Sequence, residues 1–460
     1  MSSEPNKQNQ FDRTAISTNG KSKVFIKTFG CQMNEYDSLK LARILAPKYD
    51  QVQNPLDADL VLINTCSVRD KPEQKLYSIL GEVKEIKEIN PNLMIGVGGC
   101  VAQQEGANIT KRIKDVDFVF GTHNLSLVPS LIELRKSGSA PQVAVDYRED
   151  WEDLPLAFTE ESRVAAYVSI SRGCNKNCTY CIVPTTRGPE VSRSSDEIIR
   201  EIRLLVHRGA KEIFLLGQTV NSYGLDLTPK RSFVWLLDQV AAITGVERIR
   251  FMSPHPQEVR EDFIDLVCSN PKICRHIHMP LQSGSDRILK LMNRNYRRQK
   301  YLSIIEKIKD RVPDMAITTD IIVGFPGETD ADFRDTLDIM EQVKFNSSYS
   351  YVFSARPGTE AAKMADILTE EDKLKRIYEL QEKQNKMTDV ILASWVGKTA
   401  QILIEGHSTS DPTCMKGRTS QNILVNMLNS YPDLKVGDIR DVKISKTFRY
   451  TLGAELTNQN

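Results

Sequence analysis

The sequence predicts an α/β protein with three parts: an N-terminal doubly wound parallel sheet domain, a central partial (β/α)6 barrel and a C-terminal small β-barrel. In the N-terminal third, short apolar runs rich in β-branched residues alternate with helical patterns, which is typical of parallel βαβ units. From about residue 165 to residue 358, six further strand signals alternate with helices. From Val396 onward, short strand patterns are separated by Gly, Asn and Pro, which indicates a small all-β module.

These changes of pattern divide the chain. We expect a disordered tail over residues 1–21, the sheet domain over 22–138, a linker over 139–159, the partial barrel with its connecting helices over 160–391 and the small β-barrel over 393–456. The tail is expected to be disordered because it is rich in Ser, Asn, Gln and Lys and has few apolar residues.

The composition sets broad limits on location and partners. The 61 Lys and Arg residues balance the 60 Asp and Glu residues, giving a net charge of +1, so any basic surface for nucleic acid must be local. Nine cysteines without a signal peptide favour a reducing compartment, and we expect a cytoplasmic location. No apolar run approaches about 18 residues, which argues against a membrane span.

In the N-terminal part, three predicted strands each end at a cysteine. The cysteines Cys31, Cys66 and Cys100 are 35 and 34 residues apart. Because the carboxyl ends of parallel strands face one crevice of an open α/β sheet, these three thiols could meet there and bind a metal cluster. The alternative is three unrelated buried thiols, since free cysteine is often buried. The strands run over Lys23–Gly30, Asp59–Thr65 and Leu93–Gly99, and helical patterns follow the first two, over Asp37–Ala46 and Pro72–Ile89.

In the central part, the candidate functional loops also follow strands. Functional groups of such barrels lie at the carboxyl ends of the strands. The predicted strands are Ala165–Ser171, Glu212–Leu216, Arg248–Met252, His276–Pro280, Ala316–Val323 and Ser348–Val352. The loops after them include Gly217–Asn221, Gln282–Ser285 and Gly324–Glu328, each of which is also compatible with ordinary turn chemistry.

The loop after the first of these strands carries Cys174, Cys178 and Cys181, the most informative residues of the chain. Three thiolates on one tight loop can hold three irons of a 4Fe–4S cube and leave the fourth iron open for a substrate or cofactor. A structural zinc site normally has four protein ligands. Because no fourth Cys or His follows at close spacing, the pattern favours the cluster over zinc.

This Cys-x3-Cys-x2-Cys spacing resembles that of the radical S-adenosylmethionine enzymes. The resemblance implies that the open iron binds the cofactor and that an electron from the cluster cleaves it to a 5′-deoxyadenosyl radical. It places Tyr180 beside the adenine, although a packing aromatic is the equal alternative. Gly217 and Gln218 stand where the family commonly has Gly-Gly-Glu, at the place that receives the cofactor's amino group. Arg193 and Ser283 complete the residues we expect to bind S-adenosylmethionine, although solvated arginine and turn chemistry are the alternatives.

The segments around Cys31, Cys66 and Cys100 resemble the N-terminal domain of the methylthiotransferases. The resemblance rests on the sequences of three segments, Thr28–Ser38, Asn64–Arg69 and Gly99–Gly106. It implies that these cysteines hold an auxiliary 4Fe–4S cluster, and that its open iron carries the sulfur that enters the product. The expected cofactors are therefore two 4Fe–4S clusters and S-adenosylmethionine.

Two regions are candidates for RNA contact. The C-terminal module, with its Gly417-Arg418-Thr419 turn, resembles the TRAM domain, a small RNA-binding β-barrel, and Lys443, Lys446 and Arg449 lie close to one of its strands. A basic aromatic stretch in the central part either touches RNA phosphates or forms a solvated helix face. It contains Lys290, Arg294, Tyr296, Arg297, Arg298, Lys300 and Tyr301.

The resemblance implies an enzyme that methylthiolates C2 of N6-isopentenyladenosine beside the anticodon of tRNA, using two molecules of S-adenosylmethionine. The sister branches of the family act on threonylcarbamoyladenosine in tRNA or on an aspartate of a ribosomal protein. A non-catalytic RNA-binding iron–sulfur protein is an alternative of another class. The expected partners are the anticodon arm of tRNA, a low-potential electron donor such as flavodoxin or ferredoxin, and a sulfur donor, with no membrane.

Overall fold

The computed structural model describes residues 20–67, 72–148, 151, 163–408, 411–429 and 431–457. Most of the predicted tail and much of the predicted linker lie outside these residues. The chain forms two compact units, which meet in sequence between Thr159 and Glu160. None of the helices within the described residues combines the length and the apolar composition that crossing a membrane requires.

The first unit is a parallel sheet with helices on both faces. Its strands follow the order β2-β1-β3-β4-β5-β6, and every pairing is parallel. The strands are β1 (Ser22–Thr28), β2 (Tyr49–Gln51), β3 (Leu60–Thr65), β4 (Met94–Gly99), β5 (Phe118–Phe120) and β6 (Gln142–Ala144). The helices are α1 (Gln32–Leu45), α2 (Pro72–Ile89), α3 (Cys100–Glu105), α4 (Ala107–Arg112) and α5 (Val128–Lys136).

Alternating side chains of this sheet build two separate cores, as the doubly wound prediction requires. Val61 and Ile63 of strand β3 pack in one cluster, whereas Leu60 and Leu62 pack in the other. Strand β6 lies within residues 139–159, which the sequence predicted to be a linker. The first domain therefore extends at least to Ala144, because this strand pairs with β5.

The second unit begins with the predicted partial barrel. Parallel strands pair in the orders β7-β10-β11 and β12-β13-β14, and parallel bridges from Ile249 to Ile273 and from Met252 to His278 join the two groups. The strands are β7 (Ala165–Ser169), β10 (Glu212–Leu216), β11 (Arg248–Phe251), β12 (His276–His278), β13 (Ala316–Val323) and β14 (Ser347–Val352), and β8 (Ser171–Arg172) pairs with β9 (Val191–Ser192) as a short ribbon.

Helices cover the outside of this barrel and bury one large apolar core against alternate strand residues such as Ile213, Ile249 and Ile317. The helices are α6 (Val183–Arg187), α7 (Ser195–His207), α8 (Phe233–Ala241), α9 (Glu261–Ser269), α10 (Asp286–Leu291), α11 (Arg298–Arg311) and α12 (Asp330–Val343). Short 3-10 helices in the two units span Pro55–Asp57, Leu125–Leu127, Val220–Ser222, Pro256–Glu258 and Glu360–Lys363.

A long helix leads from the partial barrel to the C-terminal module. Helix α13 (Glu370–Ala393) starts at a capping box in which Thr369 Oγ1 accepts a hydrogen bond from the backbone N–H of Asp372 at 3.1 Å. The module is a closed barrel with the strand order β15-β16-β17-β19-β18. Its strands are β15 (Thr399–His407), β16 (Met415–Thr419), β17 (Leu424–Met427), β18 (Ile439–Thr447) and β19 (Leu452–Leu456). The predicted small β-barrel is therefore confirmed.

The expected turn at Gly417-Arg418-Thr419 is wrong, because these residues lie in strand β16. The turn comes immediately after it, and it docks against the start of the partial-barrel strands. Arg250 of β11 donates to the carbonyl oxygens of Thr419 at 2.6 Å and Ser420 at 2.9 Å. Arg248 donates to the carbonyl oxygen of Arg418 at 2.6 Å. The closed barrel thus packs at the end of the partial barrel opposite to the carboxyl ends of its strands.

Candidate active site: two cysteine triads

The first triad lies at the carboxyl ends of neighbouring strands in the first unit. Cys31 precedes helix α1 after strand β1, Cys66 follows β3, and Cys100 begins helix α3 after β4. Strand β2 lies on one side of β1, and the next strand of the chain, β3, lies on the other side. The strand order therefore reverses between β1 and β3. Ligands of doubly wound sheets bind at such a switch point.

A pair of buried asparagines ties the three loops together. Asn34 Nδ2 donates to the carbonyl oxygens of Phe29 at 2.9 Å and Thr65 at 2.6 Å. Asn64 Nδ2 returns a hydrogen bond to the carbonyl oxygen of Asn34 at 2.8 Å. The hydroxyl of Thr65 donates to the carbonyl oxygen of Gly98 at 2.6 Å, which adds the third loop. These roles were not predicted, although an Asn three residues after Cys31 and another two before Cys66 are a visible signal.

Gly30 allows the first loop to pack directly on Cys66. A Cβ atom at this position would lie 2.2 Å from Cys66 Cβ and 2.7 Å from its sulfur, and φ is +115°. Both the space and the backbone conformation therefore require glycine. The loops that carry Cys31 and Cys66 are in contact, as the first triad requires.

The second triad lies on the loop that follows strands β7 and β8 in the second unit. The backbone N–H of Cys174 donates to the carbonyl oxygen of Gly188 at 3.1 Å, and that of Cys181 donates to the carbonyl oxygen of Cys178 at 3.0 Å. Cys174 Sγ lies 3.6 Å from Thr219 Oγ1, in the loop after β10, and accepts from the N–H of Lys176 at 3.4 Å. The structure thus joins this triad to the loop that the sequence assigned to the cofactor.

Burial and mutual repulsion act together on these thiols. Burial raises the pKa of Cys174, and a charge on Cys178 raises it further. Burial, followed by charge on Cys178, raises the pKa of Cys181 to about 12. A bound cation reverses this balance, because thiolates are the form that binds metal and protons leave when the metal enters. Metal binding at Cys174 and Cys181 would therefore release protons.

Three buried polar atoms near Cys174 have no hydrogen-bond partner among the described residues: Ser171 Oγ, Gln218 Oε1 and Glu190 Oε1. A Cβ on Gly217 would lie 2.5 Å from Ser171 Oγ, so only glycine lets the loop after β10 approach that hydroxyl. Burial raises the pKa of the Glu190 carboxyl to about 7, and Glu190 in turn raises the pKa of Cys174. Buried oxygens without partners fit a polar ligand. The sequence indicated Gln218 but neither Ser171 nor Glu190.

The other predicted cofactor residues have protein partners. The Tyr180 ring packs edge-on against Phe325, with 6.5 Å between ring centroids. Arg193 forms ion pairs with Glu201 and, at 3.4 Å, with Glu197. Ser283 is fully buried, and its hydroxyl accepts from the N–H of Ser285 at 3.2 Å. The packing alternative therefore describes the contacts of Tyr180, and Arg193 is not the solvated arginine of the alternative.

The basic aromatic stretch, which runs from helix α10 into helix α11, is not an RNA-binding surface as a whole. Arg294, Tyr296 and Tyr301 are buried, with exposed fractions of 6%, 3% and 0%. Arg298 pairs with Asp338. For the buried residues, both contact with RNA phosphates and a solvated helix face are wrong. Sequence periodicity does not reveal that this segment packs against the second triad. Arg294 Nη1 lies 3.7 Å from Cys178 Sγ.

Comparison with known proteins matches two family models to separate parts of the chain. The model described as "Radical SAM superfamily" matches residues 168–340, and the model described as "Uncharacterized protein family UPF0004" matches residues 23–121. The tRNA-2-methylthio-N(6)-dimethylallyladenosine synthase of Nitrosospira multiformis is 45% identical over 94% of this chain and 92% of that protein. The protein of that name from Burkholderia cenocepacia is 44% identical over 94% of this chain and 97% of its own. The chain belongs to this family.

As a member of the family, the chain is a radical S-adenosylmethionine enzyme that uses iron–sulfur chemistry and S-adenosylmethionine. A solved structure with a similar fold is a radical S-adenosylmethionine methyltransferase from Kitasatospora setae. It matches with a TM-score of 0.55 and 13% identity over 74% of this chain and 75% of that chain.

The donors of each triad are three cysteine sulfurs. Within the part of the chain that the structure describes, no three His, Cys, Asp or Glu side chains converge as ligands of one metal ion. A zinc ion needs four ligands around one point. Thiolates that bind different irons of a cube need not converge on one point, so the donor type of each triad is compatible with a 4Fe–4S cluster.

Proposed function

We propose that the enzyme methylthiolates C2 of N6-isopentenyladenosine in tRNA. The observation that carries the proposal is the triad of Cys31, Cys66 and Cys100 at the switch point of the N-terminal sheet, in a chain that already has a radical-generating triad. A second set of three thiols leaves an open iron for a sulfur atom. The name of these relatives describes the same product, a 2-methylthio derivative of dimethylallyladenosine in tRNA.

In this proposal, Cys174, Cys178 and Cys181 hold the catalytic cluster. When bound, that cluster supplies the electron that splits S-adenosylmethionine into methionine and a 5′-deoxyadenosyl radical. Adenine C2 carries a C–H bond with no acidic proton, so acid–base side chains alone are insufficient. The chain's own task is to hold the cofactor in place and to exclude water.

The three oxygens without partners near Cys174 are our candidates for contacts to S-adenosylmethionine. Gln218 Oε1 and the Glu190 carboxylate can accept hydrogen bonds from an ammonium group, and Ser171 can accept or donate. Gly217 permits the close approach of this loop. Tyr180 remains our candidate beside the adenine, whereas Arg193 and Ser283 would act through their neighbours because their side chains already have partners.

Cys31, Cys66 and Cys100 would hold the auxiliary cluster, which supplies the sulfur of the product. The complete cofactor set is therefore two 4Fe–4S clusters, and two molecules of S-adenosylmethionine are used: one gives the methyl group and one gives the radical. An external low-potential donor such as flavodoxin or ferredoxin would provide electrons, and a separate sulfur donor would restore the sulfur.

The hairpin between strands β18 and β19 is our candidate for contact with the anticodon arm. Phe448 and Tyr450 are 45% and 57% exposed. Lys446 Nζ lies 5.2 Å from the centre of the Phe448 ring, and the guanidinium of Arg449 lies 5.2 Å from that of Tyr450. Exposed rings with adjacent cations suit unpaired bases and their phosphates. Arg418 is a weaker candidate than the sequence indicated, because it pairs with Glu405 at 3.2 Å.

We also infer a cytoplasmic location, since tRNA is the substrate, and three functional regions. The sulfur-donating domain begins near residue 22 and reaches at least Ala144, the radical core with its connecting helices spans about residues 160–391, and the RNA-binding barrel spans about residues 393–456.

The test is mass spectrometry of tRNA nucleosides from cells that lack the gene. Methylthiolated isopentenyladenosine should be absent and isopentenyladenosine should accumulate. Wild-type protein should restore the product, whereas Cys174→Ala and Cys31→Ala should not. Loss of methylthiolated threonylcarbamoyladenosine, or of the modified ribosomal aspartate, would instead support the sister activities. Restoration by Cys174→Ala would support the non-catalytic RNA-binding alternative.

A further inference from the structure

Arg294 is a buried cation that lies against a cysteine of the second triad. It follows helix α10, and the residue is 6% exposed. Nη1 points at Cys178 Sγ over 3.7 Å, Nη2 donates to the carbonyl oxygen of Pro280 at 2.9 Å, and Nε donates to the hydroxyl of Tyr296 at 3.2 Å. In the described residues, these hydrogen bonds reach two oxygens and one sulfur, and none reaches a carboxylate.

This geometry leaves the guanidinium charge in need of a negative partner. Burying an unpaired charge is costly, and buried arginine is normally paired with an anion. The Tyr296 hydroxyl is fixed in turn, because it donates to the carbonyl oxygen of Leu281 at 2.7 Å. Hydrogen bonds therefore hold Nε and Nη2 of the planar guanidinium, and Nη1 faces the Cys178 sulfur. A Cys178 thiolate bound to iron would be the missing anion.

Cys174 has neutral donors instead. Its sulfur lies beside the Thr219 hydroxyl and the backbone N–H of Lys176. The triad is thus asymmetric, with a full positive charge placed against Cys178.

We propose that Arg294 is a positioning residue that donates an N–H hydrogen bond to the Cys178 thiolate and raises the reduction potential of the cluster held by Cys174, Cys178 and Cys181. The inference rests on the proposed function of this triad. Reduction adds one electron from an external reductant and makes the cluster more negative. A nearby cation and a hydrogen bond to a ligating sulfur stabilise that form more than the oxidised form. Arg294 would therefore ease the electron transfer that precedes cofactor cleavage.

The experiment is a reductive titration followed by EPR, without S-adenosylmethionine, in full-length protein that carries Cys31→Ala, Cys66→Ala and Cys100→Ala. This background leaves one cluster to observe. The variants are Arg294→Gln and Arg294→Lys, and the matched control is Arg297→Gln, an exposed arginine three residues further along. We expect the midpoint potential to become more negative in Arg294→Gln, to shift less in Arg294→Lys, and to stay unchanged in Arg297→Gln.

A wild-type midpoint in both Arg294 variants would overturn the inference. If Arg294→Gln does not retain iron, the test rests on Arg294→Lys alone. A wild-type midpoint potential in that variant would also overturn the inference. A change in the Kd of S-adenosylmethionine with no change in potential would place Arg294 on the cofactor and would also overturn it. Absence of an iron–sulfur signal in the background protein itself would instead refute the proposed function of the triad.

Discussion

Replacing Arg250 by Met should destabilise the second unit, because this residue joins the partial barrel to the closed barrel. The Arg250 side chain is 1% exposed, pairs with Glu212 at 2.8 Å, and donates to the carbonyl oxygens of Thr419 and Ser420. Met has a similar length and cannot donate a hydrogen bond. The substitution would leave a buried carboxylate without its ion-pair partner, and one buried and one half-buried carbonyl without their donor.

The expected loss is about 3–5 kcal/mol in the free energy of unfolding, the usual cost of removing one partner of a buried ion pair. Glu212→Gln in the same protein should restore part of it, because the uncompensated charge is then removed. The coupling between the two positions should be roughly 0.5–3 kcal/mol in a double-mutant cycle. Arg275→Met is the control, since Arg275 and Asp314 are 56% and 46% exposed and such surface pairs contribute at most about 1 kcal/mol.

Urea unfolding followed by tryptophan fluorescence is a suitable assay, because Trp395 packs against the core of the closed barrel. Arg250→Met should shift the transition to lower urea, and Arg275→Met should leave it nearly unchanged. An Arg250→Met protein with the wild-type unfolding midpoint would refute the reasoning. So would equal losses in the Arg250 and Arg275 variants, since burial would then have no bearing on the cost.

Further predictions concern the two triads and the cofactor. Anaerobically reconstituted protein should contain about eight irons, and the variant with Cys174, Cys178 and Cys181 all changed to Ala should contain about four; iron analysis showing a single cluster in the wild type would contradict this. Gly30→Ala should lose the iron of the first triad, because the new Cβ would lie 2.2 Å from Cys66 Cβ, whereas Gly81→Ala, with no atom within 4 Å, should keep it. The pKa of Glu190 is raised to about 7 by burial, so its carboxyl is neutral below that pH and charged above it. If the carboxylate holds the cofactor's ammonium, the Kd of S-adenosylmethionine should fall as pH rises through 7 and Glu190→Gln should flatten this dependence; the same slope in both proteins would remove Glu190 from the site.

Most of the fold was predictable because it depends on local apolar patterns. The strands of the partial barrel end within a few residues of their predicted positions, since most are short runs rich in apolar and β-branched residues, such as Ala316–Val323. Strands β2, β5 and β6 were not predicted; each has only three residues, too few to establish a period, whereas the equally short β12 was found because the predicted run extends beyond it to Pro280. Strand β16 was assigned to a turn because Gly417 and Arg418 have low strand propensity, and pairing with β15 and β17 overrides that preference.

The residues of the candidate site were predictable where they lie close together in the sequence. They were not predictable where the fold brings in a residue that is distant in the sequence. The spacing of Cys174, Cys178 and Cys181 is a property of eight consecutive residues. Arg294 reaches the same place from more than a hundred residues away, and nothing in its own neighbourhood distinguishes it from Arg297. The Asn34 and Asn64 network is intermediate, because each residue lies beside a cysteine but their mutual hydrogen bond depends on strand order.

The docking of the closed barrel also determines how its role in RNA binding should be tested. Sequence reasoning favours deletion from about Val396, with cleavage of S-adenosylmethionine expected to survive because the cysteines of both triads lie in the other domains. The structure argues against that design, because deletion would strip Arg248 and Arg250 of their carbonyl partners and expose the end of the partial barrel. Point variants on the exposed hairpin avoid this problem.

Phe448→Ala with Tyr450→Ala should weaken tRNA binding by roughly 1–3 kcal/mol per stacked base, while cofactor cleavage without tRNA should remain at the wild-type rate. Lys446→Gln with Arg449→Gln should weaken binding and reduce its salt dependence, because phosphate contacts release counterions. Lys435→Gln is the control, an exposed lysine on the preceding loop of the same barrel. Unchanged affinity and salt slope in both hairpin variants would show that the closed barrel completes the partial barrel structurally and that tRNA is bound by other surfaces.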